Sequence, residues 1–245
     1  MKYLFVGLLL CFSIISCKKQ QETLVMDDIS TLYPLKVGSV FIYRMDSSSS
    51  SQNGMSTAYY LAKDSVSRTF IDNQGRTSFL VLRYLTDTLA AKPYQYNESY
   101  YITYDKNKIE TIDGNNRRFI NLVNPISLNT TWSGNSYINV TRITDNTTFA
   151  GWTYQYTSIN QPVTVKDSTF PNTTTILQNA DSSGVVFNPS FFYSKTYSTE
   201  IYAQGVGLIS KQILVFAYQA PTNTTPSYYE DGSFGLKLNL VSYKH

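Results

Sequence analysis

Tyr59-Tyr60-Leu61-Ala62-Lys63-Asp64-Ser65-Val66-Ser67-Arg68-Thr69-Phe70 and Thr77-Ser78-Phe79-Leu80-Val81-Leu82-Arg83-Tyr84-Leu85 flank the turn sequence Asp72-Asn73-Gln74-Gly75. Aromatic and β-branched side chains fit a pleated surface, and Asp, Asn and Gly suit a tight reversal. Two such runs around such a turn predict an antiparallel hairpin. The same grammar extends in both directions. Upstream, Val40 to Arg44 is strand-like and Ser47 to Gly54 reads as a flexible loop. Downstream, Tyr94 to Tyr104, Lys108 to Ile112 and Arg117 to Val123 are separated by Asp105-Lys106-Asn107 and Asp113-Gly114-Asn115-Asn116.

Pro125 to Gly134 reads as a loop packed by Leu128 and Trp132. Strand-like runs resume at Tyr137 to Ile143, Thr148 to Ile159, Val163 to Phe170 and Thr173 to Gln178. In Asn188 to Ala203 the spacing of Phe191-Phe192-Tyr193, Tyr197 and Ile201 suits one short helix as well as a strand. The last unit is Leu208 to Tyr218, a Pro/Asn/Thr loop, Tyr228 to Ser233, then Gly235 to Tyr243. The predicted fold is all-β: one curved antiparallel sheet, partly or wholly closed into a barrel, with a two-sheet sandwich as the alternative. With 21 Tyr and 13 Phe among many Thr, Ser and Asn, the composition agrees.

The first residues specify an address. Met1-Lys2-Tyr3 precedes an apolar run from Leu4 to Ile15, then Ser16, Cys17 and the polar stretch Lys18-Lys19-Gln20-Gln21. A basic start, a short apolar segment and a small residue at the junction make a secretory signal peptide. The run is ~12 residues, whereas a helix spanning a bilayer needs ~20. Ile14-Ile15-Ser16-Cys17 resembles the lipobox of bacterial lipoproteins, which implies that residues 1–16 are removed and that Cys17 carries diacylglycerol and an amide-linked acyl chain such as palmitate. One chain binds a membrane reversibly, and more than one holds stably. Cys11 would leave with the signal, so the expected mature chain has no thiol for a disulfide. Residues 17–32 read as the lipidated cysteine and a flexible tether, and residues 33–245 as a single β-rich domain.

The opening Tyr33-Pro34-Leu35-Lys36-Val37-Gly38-Ser39-Val40-Phe41-Ile42-Tyr43 resembles that of a group of uncharacterised lipoproteins from Bacteroidota. So do Tyr202-Ala203-Gln204-Gly205-Val206-Gly207-Leu208-Ile209 and Gly235-Leu236-Lys237-Leu238-Asn239-Leu240-Val241-Ser242-Tyr243. The group usually has Trp where this chain has Phe41. The resemblance implies outer-membrane attachment, periplasmic or surface-exposed, and carries no activity with it. Asp64-Ser65-Val66, Asp87-Thr88-Leu89 and Asp167-Ser168-Thr169 also fit the O-glycosylation pattern of exported Bacteroidota proteins, at Ser65, Thr88 and Ser168. Physically, Pro34 sets the entry into the first strand and Gly38 a turn, while Gly205 and Gly207 permit a sharp bend.

Little in the chain is built for catalysis. The only histidine is His245, so Ser-His and Cys-His mechanisms and His/Cys zinc sites lack a well-placed member. Asp105, Glu110 and Asp113 lie close in sequence, but Asp105-Lys106-Asn107 lacks the glycine and distal glutamate of a calcium loop. No catalytic residue, metal or cofactor is assigned. A net charge of +3 without a basic cluster argues against nucleic acid. Tyr94, Tyr96, Tyr100, Tyr101 and Tyr104, or Phe191, Phe192 and Tyr193, read first as cross-strand packing and second as a ligand platform. The expected function is a non-enzymatic binding or envelope-assembly module on a lipid anchor, its partner a glycan, a hydrophobic ligand or an envelope protein. The alternative is a glycan hydrolase with two facing carboxylates.

Overall fold

The computed structural model describes residues 28–51, 54–138, 147–184 and 186–245. Its strands are β1 (Val40–Ser51), β2 (Gly54–Ile71), β3 (Thr77–Thr86), β4 (Gln95–Tyr104), β5 (Lys108–Ile112), β6 (Arg118–Val123), β7 (Thr131–Ser133), β8 (Thr153–Val165), β9 (Ser168–Ser182), β10 (Tyr193–Ala203), β11 (Gly207–Gln219), β12 (Tyr228–Tyr229) and β13 (Phe234–Lys244). Only two 3-10 turns, Ile29–Leu32 and Thr147–Phe149, add helical character among the described residues. The all-β expectation holds. The β2–β3 hairpin forms as its sequence demands: Asp72 Oδ1 accepts the amides of Gln74 and Arg76 at 2.9 Å each, and Gly75 takes φ 75°. That left-handed conformation costs glycine nothing.

Every pairing is antiparallel, in the order β6-β5-β4-β3-β2-β1-β13-β11-β10-β9-β8-β7, with β12 added to β11 off this path. Strands β1–β6 and β7–β11 are thus two meanders, and C-terminal β13 inserts between them. So many twisted strands curl rather than lie flat. Register shifts such as Ile42/Tyr43 in β1 and Ile201/Tyr202 in β10 bend the sheet further. The sheet nearly closes into a barrel, because its edges β6 and β7 meet. Across this seam Ile120 N–H donates to Gly134 O, and Trp132 Nε1 donates to Ile120 O, both at 2.8 Å. Tyr156 Oη adds a bond to Val123 O at 2.7 Å.

Alternate residues point inward, as the two-residue strand period requires. Ala62, Asp64 and Val66 on β2, Phe79, Val81 and Arg83 on β3, and Ser198, Glu200 and Tyr202 on β10 are all buried. One end is plugged. Ile29, Leu32, Tyr33 and Leu35 are buried there, Tyr104 Oη donates to Tyr33 O, and Gly205 N–H donates to Thr31 O at 2.8 Å. Full burial of a large apolar side chain contributes about 1.5–3 kcal/mol, so the plug is firmly held. Residues 28–32, expected to belong to the tether, are therefore part of the domain. Gly207, at φ 115°, passes so close to Tyr33 that a Cβ would lie 3.1 Å from its ring.

Several local expectations change. Ser47 to Ser51 continue β1 instead of looping, because they pair with β2 and, for Ser47 to Ser49, with β13. No short helix forms in 188–203: Tyr193–Ala203 is β10, held from both sides by β9 and β11. Leu128 is 56% exposed, whereas Trp132 is in β7 and packs against the core. The hairpin between β8 and β9 turns at Lys166-Asp167, inside the expected run Val163 to Phe170, with Lys166 at φ 52°. Tyr137 and Ile138 are not in a strand, and 139–143 lie outside the described residues. Only Tyr228–Tyr229 of the run to Ser233 pairs.

Candidate functional site

The barrel encloses a cavity of about 230 Å³. Its floor is toward Tyr33 and the plug, and its other end reaches the β5–β6 turn, the 147–152 segment and the start of β13. Antiparallel register puts this second end opposite the plug: β1 begins beside the end of β13 (Val40 with Lys244) and ends beside its start (Ser49 with Phe234). At this end Arg117 binds Asp113 Oδ2 through Nε and Nη2, both at 2.7 Å. The guanidinium lies over Phe149 at 4.7 Å and near Phe119 at 6.0 Å. Cation–π attraction and the ion pair of two guanidinium nitrogens with one carboxylate oxygen fix it twice over.

Two charged clusters sit deeper. In the first, Arg83 donates to Asp64 Oδ1 and Oδ2 at 2.7 Å each, and Tyr100 Oη donates to Oδ2 at 2.9 Å. Arg83 Nη1 also reaches Glu98 Oε1 at 3.2 Å. Burial opposes the charge on Arg83, but Asp64 overcomes that and holds its pKa above the ordinary arginine value. Burial likewise raises the Tyr100 phenol, and the Asp64 charge adds to the effect.

The second cluster joins the two meanders. Glu200 on β10 accepts Lys211 Nζ at 2.8 Å, Tyr202 Oη at 2.7 Å and Asn121 Nδ2 from β6 at 3.2 Å. Burial favours the neutral acid, but Lys211 and the two hydrogen bonds outweigh it, so Glu200 titrates below the usual glutamate range. Asn121 is only 5% exposed, and its Oδ1 accepts no hydrogen bond. The orientation of its amide is fixed by Nδ2 facing the carboxylate. Lys211, directly opposite Glu200 in register, keeps 31% of its side chain exposed beside the cavity. Nearby, Ser198 Oγ donates to Gln178 Oε1 at 2.6 Å.

The residues singled out in the sequence scatter. Cys17 lies outside the described residues. Ser65 is a half-buried β2 residue whose motif partners Asp64 and Val66 are core. Thr88 is half-buried in the β3–β4 loop, where Asp87 accepts the amides of Leu89, Ala91 and Lys92. Ser168 is exposed at the start of β9. Glu110, fully buried, binds Arg76 at 3.0 Å and Lys108 at 2.6 Å; Asp105 approaches the same Arg76, while Asp113 lies at the cavity end opposite the plug. Among the described residues, no group of His, Cys, Asp or Glu could hold a metal.

The tyrosines between positions 94 and 104 divide between faces. Tyr100 lines the cavity, Tyr104 packs on Phe79, Tyr101 on Phe70, and Tyr94 and Tyr96 join Lys63 and Tyr84. Tyr193 joins Phe187, Phe216, Tyr218 and Tyr229 in a separate aromatic cluster, beside which Phe191 and Phe192 stay exposed. His245 is not loose: its ring lies 3.4 Å from Ser39 Oγ and 3.2 Å from Gly205 O. Ser39 is fully buried, so the pair offers no accessible nucleophile.

Sequence reasoning missed Arg83, Glu98, Asn121, Glu200 and Lys211. A signal existed for one of them: Arg83 interrupts a strongly aromatic and aliphatic strand, whereas Glu200 lies among Ser, Thr and Tyr. No protein-family model, curated protein or solved structure matches the chain.

Proposed function

We propose that this is a lipid-anchored envelope protein whose barrel captures a small ligand without transforming it. The carrying observation is the state of the cavity's carboxylates. Glu98, Asp113 and Glu200 are each held by a cation, Arg83, Arg117 and Lys211 respectively. A glycan hydrolase needs one carboxyl with its pKa raised so that it can donate a proton. Glu200 moves the other way. Mixed aromatic and polar walls instead suit orientation of a bound molecule.

Attachment through Cys17 would reach the barrel at its plugged end. Asp28 enters at the plugged end, and the ten residues from Lys18 to Asp27 reach at most roughly 35 Å when extended. A second reading, contact with another envelope protein, draws on the exposed Phe191 and Phe192.

The test uses the full chain extracted from membranes, with thermal unfolding followed against a panel of small envelope molecules. Capture predicts a saturable rise in Tm, lost when Leu236→Trp fills the cavity wall and retained in Phe192→Ser on the outside. Multiple turnover of a glycan by the pure protein would replace this reading with the hydrolase.

A further inference from the structure

We propose that the plugged end of the barrel docks on a membrane surface of anionic phospholipid, its exposed Lys and Arg side chains meeting phosphates while a few apolar side chains enter the headgroup layer. This rests on the lipid-anchor part of the reading above and is independent of ligand capture.

Topology gathers the groups. Alternate connections of an antiparallel sheet share an end, so 34–39, 72–76, 105–107, 124–130, 166–167 and the end of β13 all lie with the plug. Lys36, Lys106, Lys166 and Lys244 are exposed there. Arg68 is exposed on the part of β2 that runs past the start of β1, since Val40 pairs with Ser65. None of these five forms an ion pair among the described residues. The acids nearby are mostly engaged. Asp72 and Asp105 face Arg76, and Glu110 lies among Arg76, Lys108 and Arg118. Asp28 and Asp167 are the exposed acids at this end.

The opposite end has the reverse balance. Its described connections carry Asp87, Asp113, Glu230 and Asp231 against Lys92 and Arg117, and Asp113 already takes Arg117. An anionic surface therefore attracts the plugged end and repels the other. Apolar exposure fits the same orientation. Val37, Ile71, Leu128 and Tyr243 are 46–65% exposed in or beside the connections at the plug. Val37 follows Lys36, and Tyr243 precedes Lys244. Single apolar groups among cations suit an interface where rings and side-chain stems sink in and charges stay at phosphate level. The aromatic cluster at the other end, Phe187 with Tyr218 and Tyr229, is followed instead by Glu230 and Asp231.

The tether permits this contact without enforcing it. It spans up to roughly 35 Å, whereas the field of a charged membrane fades within ~8 Å at physiological salt. Inside that distance each Lys or Arg strengthens attachment about fivefold.

The experiment reconstitutes the full chain into vesicles of phosphatidylcholine, alone or with phosphatidylglycerol, and reads amide hydrogen exchange in both. With phosphatidylglycerol, exchange at 36–38, 73–75, 106–107 and 166–167 should slow about fivefold or more, and exchange at 88–92 and 221–227 should not change. Salt at about 1 M, where screening shortens to ~3 Å, should abolish the difference. So should Lys36→Glu, Lys106→Glu and Lys166→Glu combined; the salt arm needs no variant and decides the matter if this one fails to fold. Slowing confined to 186–192 would put the aromatic end on the membrane and overturn the proposal. Equal exchange in both vesicles, with the chain still floating with them, overturns docking while the anchor stands. A chain that does not float with phosphatidylcholine sinks the anchor, and salt-sensitive slowing on phosphatidylglycerol then supports docking alone.

Discussion

In the first meander, Asp64 gives both oxygens to Arg83 and shares one with Tyr100. In the second, Glu200 holds Lys211 and Tyr202 from its own sheet region and borrows Asn121 from the far edge of the first. The Asp64 carboxylate is 3% exposed and Arg83 10%, while Lys211 is 31% exposed and Asn121 keeps an unused acceptor. Both clusters are buried ion pairs in one barrel. The difference teaches how to tell scaffold from site: a closed pair fixes strand register, whereas a pair whose cation stays partly exposed beside the cavity can still meet a ligand.

The comparison breaks hardest at Arg83. Arg83→Met strands the buried Asp64 charge, and breaking a buried pair from one side costs about 3–5 kcal/mol. Urea unfolding should show a loss of this size; a loss below that of Lys211→Met would reverse the assignment of roles. Next comes the seam. A Cβ on Gly134 would lie 2.4 Å from the buried Tyr154 ring, and such overpacking costs about 1–3 kcal/mol. Gly134→Ala should part β6 from β7, exposing the Ile120 amide to hydrogen exchange and separating Asn121 from Glu200. The Asp64–Arg83 pair lies away from this seam and should keep its spectroscopic signature.

Lys211→Met should cost less, about 1–2 kcal/mol once partial exposure is discounted. Tyr202 and Asn121 still bind Glu200, whose carboxyl should titrate higher, as read by side-chain carboxyl NMR. The smallest effect is that of pH. Glu200 has a lower pKa folded than the ordinary ~4.3 of an unfolded chain, so its contribution is complete above that value. It fades as pH falls through the folded value. The stability advantage of the wild type over Glu200→Gln should therefore shrink on acidification below about pH 4, and growth of that advantage would contradict the ion-pair account.

Local chemistry made much of the fold legible. The turns at Asp72–Gly75, Asp105–Asn107 and Asp113–Asn116 announce themselves through residues that bond their own backbone, and strands beside them follow. Where the turn is made by Lys166-Asp167, with no glycine, the boundary was invisible. The serines of β1 looked like a loop because their strand character comes from neighbours on both sides, not from their own preference. The cavity was legible only in Arg83, a charged residue inside an apolar strand, a pattern that marks a buried pair without naming the partner.

The sequence by itself determined an antiparallel β chain, because strand propensity and turn geometry are read within a few residues of one another. Only the tertiary structure decided the rest. It inserted β13 between the meanders, brought Gly134 to Ile120, and set Asn121 against Glu200 across 79 positions. Such contacts depend on how twist and bulges accumulate around the whole barrel, and that sum is not contained in any one segment.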